Sequence, residues 1–153
     1  MKIRAMEPGD LPVVLDLNQS ELASVGDIDL DRLAWIFELA DHALVADEDG
    51  QIAGFVITLA TGTAYDSANY RWFEDRYDDF RYLDRIVVSA QFRRRGVASL
   101  LYDAIEDKRP VALEVNSIPP NIPSLTFHRN RGYEAVGELP QSTGKTCTMF
   151  LLR

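Results

Sequence analysis

The chain has 153 residues, 46% apolar and 26% charged, which suits one domain with a hydrophobic core and excludes a collagenous, low-complexity or disordered chain. Its net charge of -8 repels a phosphate backbone and excludes general nucleic-acid binding. The excess sits in residues 1–50, with 12 acidic and 3 basic residues, while residues 51–153 carry 12 and 13. A lone cysteine, Cys147, and two histidines, His42 and His128, exclude a disulfide framework and a cysteine- or histidine-rich metal site, so no metal is expected. The first residues lack the apolar core of a signal peptide, no apolar run reaches membrane length, and one thiol fits a reducing compartment. The expected location is cytoplasmic, with no membrane contact.

Lys2–Ala5 reads as a first strand. Asp10 is expected to cap a helix with Pro12 in its first turn and Leu11, Leu15 and Leu22 on one stripe. A second helix, capped by Asp29, places Leu30, Leu33, Ile36, Phe37 and Ala40 on one side. Ala43–Ala46 and Ile52–Leu59 flank Asp47-Glu48-Asp49-Gly50, a hairpin signal. Residues 60–80 show no clean period. Arg81–Val88 reads as a buried strand, Gly96–Lys108 as a helix and Val111–Val115 as another strand. A short helix starts near Ser124, and Tyr133–Val136 and Thr146–Leu152 close the chain as a strand pair. The order β-α-α-β-β-β-α-β-α-β-β contains hairpins and one crossover, so a single α/β (α+β) domain over residues 1–153 with a mixed sheet is expected.

The richest segment for chemistry is Ile86-Val87-Val88-Ser89-Ala90-Gln91-Phe92-Arg93-Arg94-Arg95-Gly96-Val97-Ala98. A buried strand ends, a loop turns, and a helix opens at a glycine. The unpartnered N–H groups of a first helical turn suit a phosphate or pyrophosphate. Gly96 and Ala98 leave the backbone uncovered, and three arginines add positive field. Taken alone, the arginines are equally a solvated basic turn.

Arg93-Arg94-Arg95-Gly96-Val97-Ala98, after Ile86–Val88 and before Leu100-Leu101, resembles the (Q/R)-x-x-G-x-(G/A) acetyl-CoA motif of the GNAT superfamily of N-acetyltransferases. Asn121–Tyr133 resembles the superfamily's next motif, with Gly132-Tyr133 at its Gly-Phe position. Asp84-Arg85-Ile86, Glu114-Val115-Asn116, Pro119-Pro120-Asn121 and Phe127-His128 also resemble a little-characterised bacterial subgroup. The resemblance implies a mostly antiparallel sheet flanked by helices and a direct attack of an amine on acetyl-CoA in a ternary complex. It also implies a CoA site at Ile86, Val87, Val88, Arg93, Arg94, Arg95, Gly96, Val97 and Ala98, with Asn121 and Ser124 beyond. Asn121 reads equally as the cap of its own helix. Many relatives carry a tyrosine four residues before the glycine as acid for the thiolate; here that position is His128. It reads either as that acid or as a packed helix histidine.

Asp84 and Glu114 lie in strands that otherwise read as buried, and a buried carboxylate is costly unless paired or used. Alternation places Asp84 with Ile86 and Val88. Both acids are candidates for taking the amine's proton, against pairing of Asp84 with Arg85 and exposure of Glu114 at a strand end. For the acceptor, Asn18 sits on the apolar stripe of the first helix, and Tyr65, Asn69 and Trp72 belong to an aromatic, polar-tipped segment suited to a pocket wall. Cys147 has no supporting base and reads as a structural thiol. Gly144-Lys145-Thr146 lacks the rest of a phosphate-loop motif and reads as a turn.

The sequence thus points to an acetyl-CoA-dependent N-acetyltransferase acting on a small amine, cationic if the acidic first third walls the acceptor side. The alternatives are a non-catalytic CoA-binding or regulatory module on the same fold and a small-ligand or protein-interaction domain unrelated to CoA. Family members are often dimers, so the resemblance also implies a homodimer.

Overall fold

In the computed structural model, which describes residues 1–153, Lys2–Ala5 (β1) leads through a 3₁₀ turn at Pro8–Asp10 into Leu11–Gln19 (α1) and Leu30–Leu39 (α2). His42–Glu48 (β2) and Gln51–Ala60 (β3) follow, then Ala68–Glu74 (α3), Arg81–Val88 (β4) and Val97–Ile105 (α4). Val111–Ile118 (β5), Ile122–Asn130 (α5), Glu134–Pro140 (β6) and Thr146–Leu152 (β7) complete the chain. The strands form one sheet in the order β1-β2-β3-β4-β5-β7-β6. Every neighbouring pair is antiparallel except β4–β5, which α4 joins as a crossover.

Local chemistry accounts for the elements. The β2–β3 hairpin turns on Asp49 and Gly50, both at positive φ (53° and 88°), the conformation that a two-residue turn demands. Asp29 caps α2 by accepting from Arg32 N–H at 2.8 Å. The sheet separates two cores. Val14, Leu33, Phe55, Ile57, Tyr70 and Phe73 pack on the face covered by α1, α2 and α3; Val56, Leu83, Leu101, Ile105, Leu113 and Phe150 pack on the face covered by α4 and α5.

Four expectations are corrected. Asp10 does not cap α1: its carboxylate accepts from Glu7 N–H at 2.8 Å and pairs with Arg4, fastening the preceding 3₁₀ turn to β1. Leu22 lies outside α1 and is exposed, because Ser20 Oγ donates back to the Leu17 carbonyl and the helix stops at Gln19. The helix expected to reach Lys108 stops at Ile105, where Asp107 accepts from Arg109 N–H ahead of Pro110. Finally, α3 stands inside the stretch that showed no period, with Ser67 as its cap.

What positions the site is the way β4 and β5 meet. They pair only at Arg81↔Val111 and Tyr82↔Ala112, then part. One residue further along β4, the register with β3 jumps from Thr58↔Leu83 to Ile57↔Arg85, so Asp84 is an inserted bulge residue. The bulge breaks the alternation. Tyr82 and Val87 belong to the α1–α3 core, while Leu83, Ile86 and Val88 face α4 and α5.

Candidate active site

Where β4 and β5 part, a cleft of about 600 Å³ runs through the sheet. On one side it is walled by Ile86, Val88, Ala98, Tyr102, Phe127 and His128; on the other by Tyr65, Asn69, Asp84, Glu114, Asn116 and Gln141. From Leu83 onward the β4 edge that faces β5 has no strand partner. An extended polar chain laid in the cleft meets backbone groups free to pair with it.

Beyond that edge, Ser89–Gly96 turns into α4. Gly96 precedes the helix at φ 76°, a left-handed conformation that disfavours a side chain, and no side chain caps the first turn. Its N–H groups therefore remain available to an anion. Arg94 also has positive φ (63°) and makes no ion pair. Arg93 pairs with Glu21 and Arg95 with Glu48 at 2.8 Å, both at the surface. Surface pairs of this kind contribute about 0–1 kcal/mol, so a pyrophosphate competes with them on favourable terms. Val87 and Val97 bury their side chains in the two cores and do not line the cleft, unlike their neighbours Ile86, Val88 and Ala98. Asn121 caps α5 by accepting from Ser124 N–H at 3.3 Å, and both residues line the cleft.

The two carboxylates are held differently. Asp84 accepts from Tyr65 Oη at 2.5 Å and from Arg85 Nε at 2.8 Å, which occupies both of its oxygens. The bulge explains this: Asp84 and Arg85, neighbours that a regular strand would point to opposite faces, lie on one side and pair. Alternation of Asp84 with Ile86 and Val88 does not hold. Glu114 accepts from the Tyr82 hydroxyl on one oxygen. Burial pushes its carboxyl up to about 7, offset in part by the Tyr82 hydrogen bond and reinforced by the charge of Asp84.

His128 is 5% exposed and walled in by the rings of Tyr102, Tyr133 and Phe150. Its Nδ1 lies 2.7 Å from the Ser124 carbonyl, an obligate acceptor, so Nδ1 carries the proton. Burial lowers its pKa and keeps it neutral, which leaves Nε2 bare to accept from Tyr102 Oη at 2.6 Å. The proton shared at this point belongs to Tyr102 rather than to the imidazole.

Two residues expected on the acceptor side do not reach the cleft. Asn18 is fully buried; it donates to the Gly26 carbonyl at 3.0 Å and accepts from Arg85 at 2.9 Å, tying the α1–α2 connection to β4. Trp72 packs flat on β6, where a Cβ at Gly137 would stand 2.6 Å from its ring. Tyr65 and Asn69 do line the cleft. Sequence reading missed Tyr82, Tyr102 and Gln141. Tyr102 was findable, since Ala98 and Tyr102 share one helix face at a spacing of four; Gln141 has no local signal. Cys147 also lines the cleft, its thiol raised to about 11 by burial, which keeps it protonated and unreactive.

A free strand edge beside an uncapped helix start can hold an extended ligand that ends in a phosphate or pyrophosphate. The profile of the Acetyltransferase (GNAT) family matches residues 12–133, and the chain belongs to that family. It is an acyltransferase that uses acetyl-CoA. No curated protein matches it significantly in sequence. Among solved structures it is similar to Ard1 from Thermoplasma volcanium (19% identity, 99% of this chain and 95% of that one, TM-score 0.77). It is also similar to Arabidopsis thaliana NAA60 in complex with acetyl-CoA (19%, 99% and 98%, 0.76). The ribosomal-protein-S18-alanine N-acetyltransferase from Escherichia coli is a third (17%, 99% and 92%, 0.72). No helix is long and apolar enough to cross a membrane.

Proposed function

We propose that the protein acetylates a small, cationic primary amine by direct attack on acetyl-CoA in a ternary complex, with Glu114 as the base. One observation carries this reading: the Glu114 carboxyl, raised to about 7, lines the cleft at the point where β4 and β5 part. At neutral pH such a group is split between a form that takes a proton and a form that has taken one. The α4–α5 side of the cleft receives acetyl-CoA, with Arg93–Ala98 around its pyrophosphate and the free β4 edge along its pantetheine. Asn121 and Ser124 lie beside that path.

The amine enters from the opposite side, among Asn69, Gln141 and Tyr65. Two carboxylates against the single paired Arg85 favour an ammonium group there. Glu114 takes the ammonium proton, directly or through a water; the freed nitrogen attacks the thioester carbon; the carbon–sulfur bond breaks. Tyr102 turns its single hydroxyl proton from His128 Nε2 to the departing thiolate, and the tyrosinate takes up a proton from water as the products leave. The demand on this acid is modest, because a thiol pKa of about 8.5 makes thiolate a tolerable leaving group. Asp84, with both oxygens engaged, fixes the cleft wall.

The test is turnover of acetyl-CoA over a panel of small diamines, amino acids and short peptides, with the wild type and Glu114→Gln. Acetylation of small cationic amines, with kcat reduced about 100-fold in the variant, is the expected result. A preference for peptide amino termini overturns the small acceptor, and CoA binding without transfer to any amine overturns catalysis.

A further inference from the structure

Resting on the reading above, in which the amine enters beside Tyr65, we propose that Arg85 and Asn18 are positioning residues for the acceptor. Together they tie the α1–α2 connection to the bulge of β4 and set where Ser24, Val25 and Gly26 wall the cleft. Those three residues line it with Tyr65, Asp84 and Arg85. Yet the main-chain to main-chain hydrogen bonds of residues 20–28 run only to α1 and within the segment. Arg85 is the one residue of the sheet that hydrogen-bonds to it.

The link is built on the Gly26 carbonyl. A Cβ at Gly26 would meet nothing within 4 Å, so no packing on that side fixes the residue. Its carbonyl accepts from Asn18 Nδ2 at 3.0 Å and from Arg85 Nη1 at 3.3 Å, which uses both lone pairs. Nη1 also donates to Asn18 Oδ1 at 2.9 Å, and a guanidinium can only donate, so the Asn18 amide cannot flip. On its other arm, Arg85 Nε meets Asp84 at 2.8 Å. Arg85 is 8% exposed and Asn18 fully buried, so water does not compete for these bonds.

The segment's other long-range polar tie, Glu21 to Arg93, is a surface ion pair for which a pyrophosphate competes. Arg85 is therefore the tie that remains once acetyl-CoA is bound. Val25 and Ile28 pack against the core, which keeps the segment on the protein when the link is cut.

Asn18 is the place to cut it, because Asn18 carries no charge and does not line the cleft. In Asn18→Leu, amide hydrogen exchange should quicken in residues 20–28 and stay slow in β4. With acetyl-CoA and diaminobutane as substrates, the KM of the amine should rise about tenfold, the effect of one hydrogen bond, with kcat and the acetyl-CoA KM within about twofold. Arg85→Lys keeps a cation beside Asp84 but replaces two donor nitrogens with one, and should shift the amine's KM in the same direction. It carries the same readouts if Asn18→Leu does not fold.

An equal loss in every kinetic parameter with a lower melting temperature marks a merely structural link and overturns the proposal. So does faster exchange with an unchanged KM for the amine. Unchanged exchange in residues 20–28 overturns the link itself, whatever the amine. If the wild type leaves diaminobutane untouched, the small-amine reading falls separately, and the same comparison is made with the amine that it does acetylate.

Discussion

The two ends of the β4–β5 interface are built from similar materials and do opposite things. At the closed end, Arg81 is 4% exposed and fully engaged. Its backbone N–H donates to the Pro110 carbonyl, its Nε meets Asp41 at 2.8 Å, and its Nη1 donates to the Ile105 carbonyl at 2.6 Å. Asp41 in turn accepts from the Thr58 hydroxyl, and the Asp41 pKa is held down by its partners despite burial. At the open end the carboxyl of Glu114 has the Tyr82 hydroxyl for company and no cation, and its pKa rises. Burial raises both acids, the deeper Glu114 more; at Asp41 the Thr58 hydroxyl and the Arg81 guanidinium together outweigh it. One end uses charge to close the sheet, and the other keeps a proton site in a gap.

The largest effect that would test this contrast is on stability. Arg81→Met should cost about 1–3 kcal/mol, since it leaves the Ile105 carbonyl without its donor and Asp41 with only Thr58 and the more distant Arg109. Urea denaturation would measure it, and the surviving folded enzyme should keep its affinity for acetyl-CoA. A loss of activity without a loss of stability would dissolve the division between the two ends.

Next comes the pH dependence of stability. Between the usual glutamate value and about 7, native Glu114 holds a proton that the unfolded chain has released. Its contribution to stability is therefore complete at the acid edge of that window and falls as pH rises through it. Glu114→Gln should flatten this trend when denaturation is compared at the two edges. A slope unchanged by the substitution would mean that Glu114 titrates like an ordinary surface acid.

The smallest effect separates Tyr102 from His128. Tyr102→Phe should lower kcat about tenfold with little change in the KM for acetyl-CoA. Asp41 and Arg81, at the far end of the strands, should show no such kinetic signature. A Tyr102→Phe enzyme with full kcat would return the acid role to another group.

Much of this was legible in sequence. Arg81–Val88 and Thr146–Leu152 are bounded in the structure where alternation and apolar runs placed them, and the hairpin and the glycine opening α4 follow from local backbone preferences. The rest depends on contacts between distant residues. Asn69 and Gln141 stand 72 positions apart, and nothing near either one announces the other. Only two turns of α3 exist, too few for a period, although Tyr70 and Phe73 at a spacing of three are both fully buried. At position 128, the bond to Ser124 one turn earlier was readable from helix spacing, while the partner on Tyr102 was not. Leu83-Asp84-Arg85 contains no glycine to mark a bulge, so strict alternation assigned Asp84 to the wrong neighbours.

That single unpaired residue has a consequence for how the chain tolerates change in length. A strand repeats every two residues, so Asp84 offsets everything after it by half a repeat. Because Leu83 and Arg85 already oppose consecutive residues of β3, a chain without Asp84 would run on as a regular strand, with Ile86, Val87 and Val88 on their present faces. It would lose only what the extra residue brings, the carboxylate held by Tyr65 and Arg85 at the cleft. The segment should therefore accept the loss of that one residue in its fold and feel it at the site.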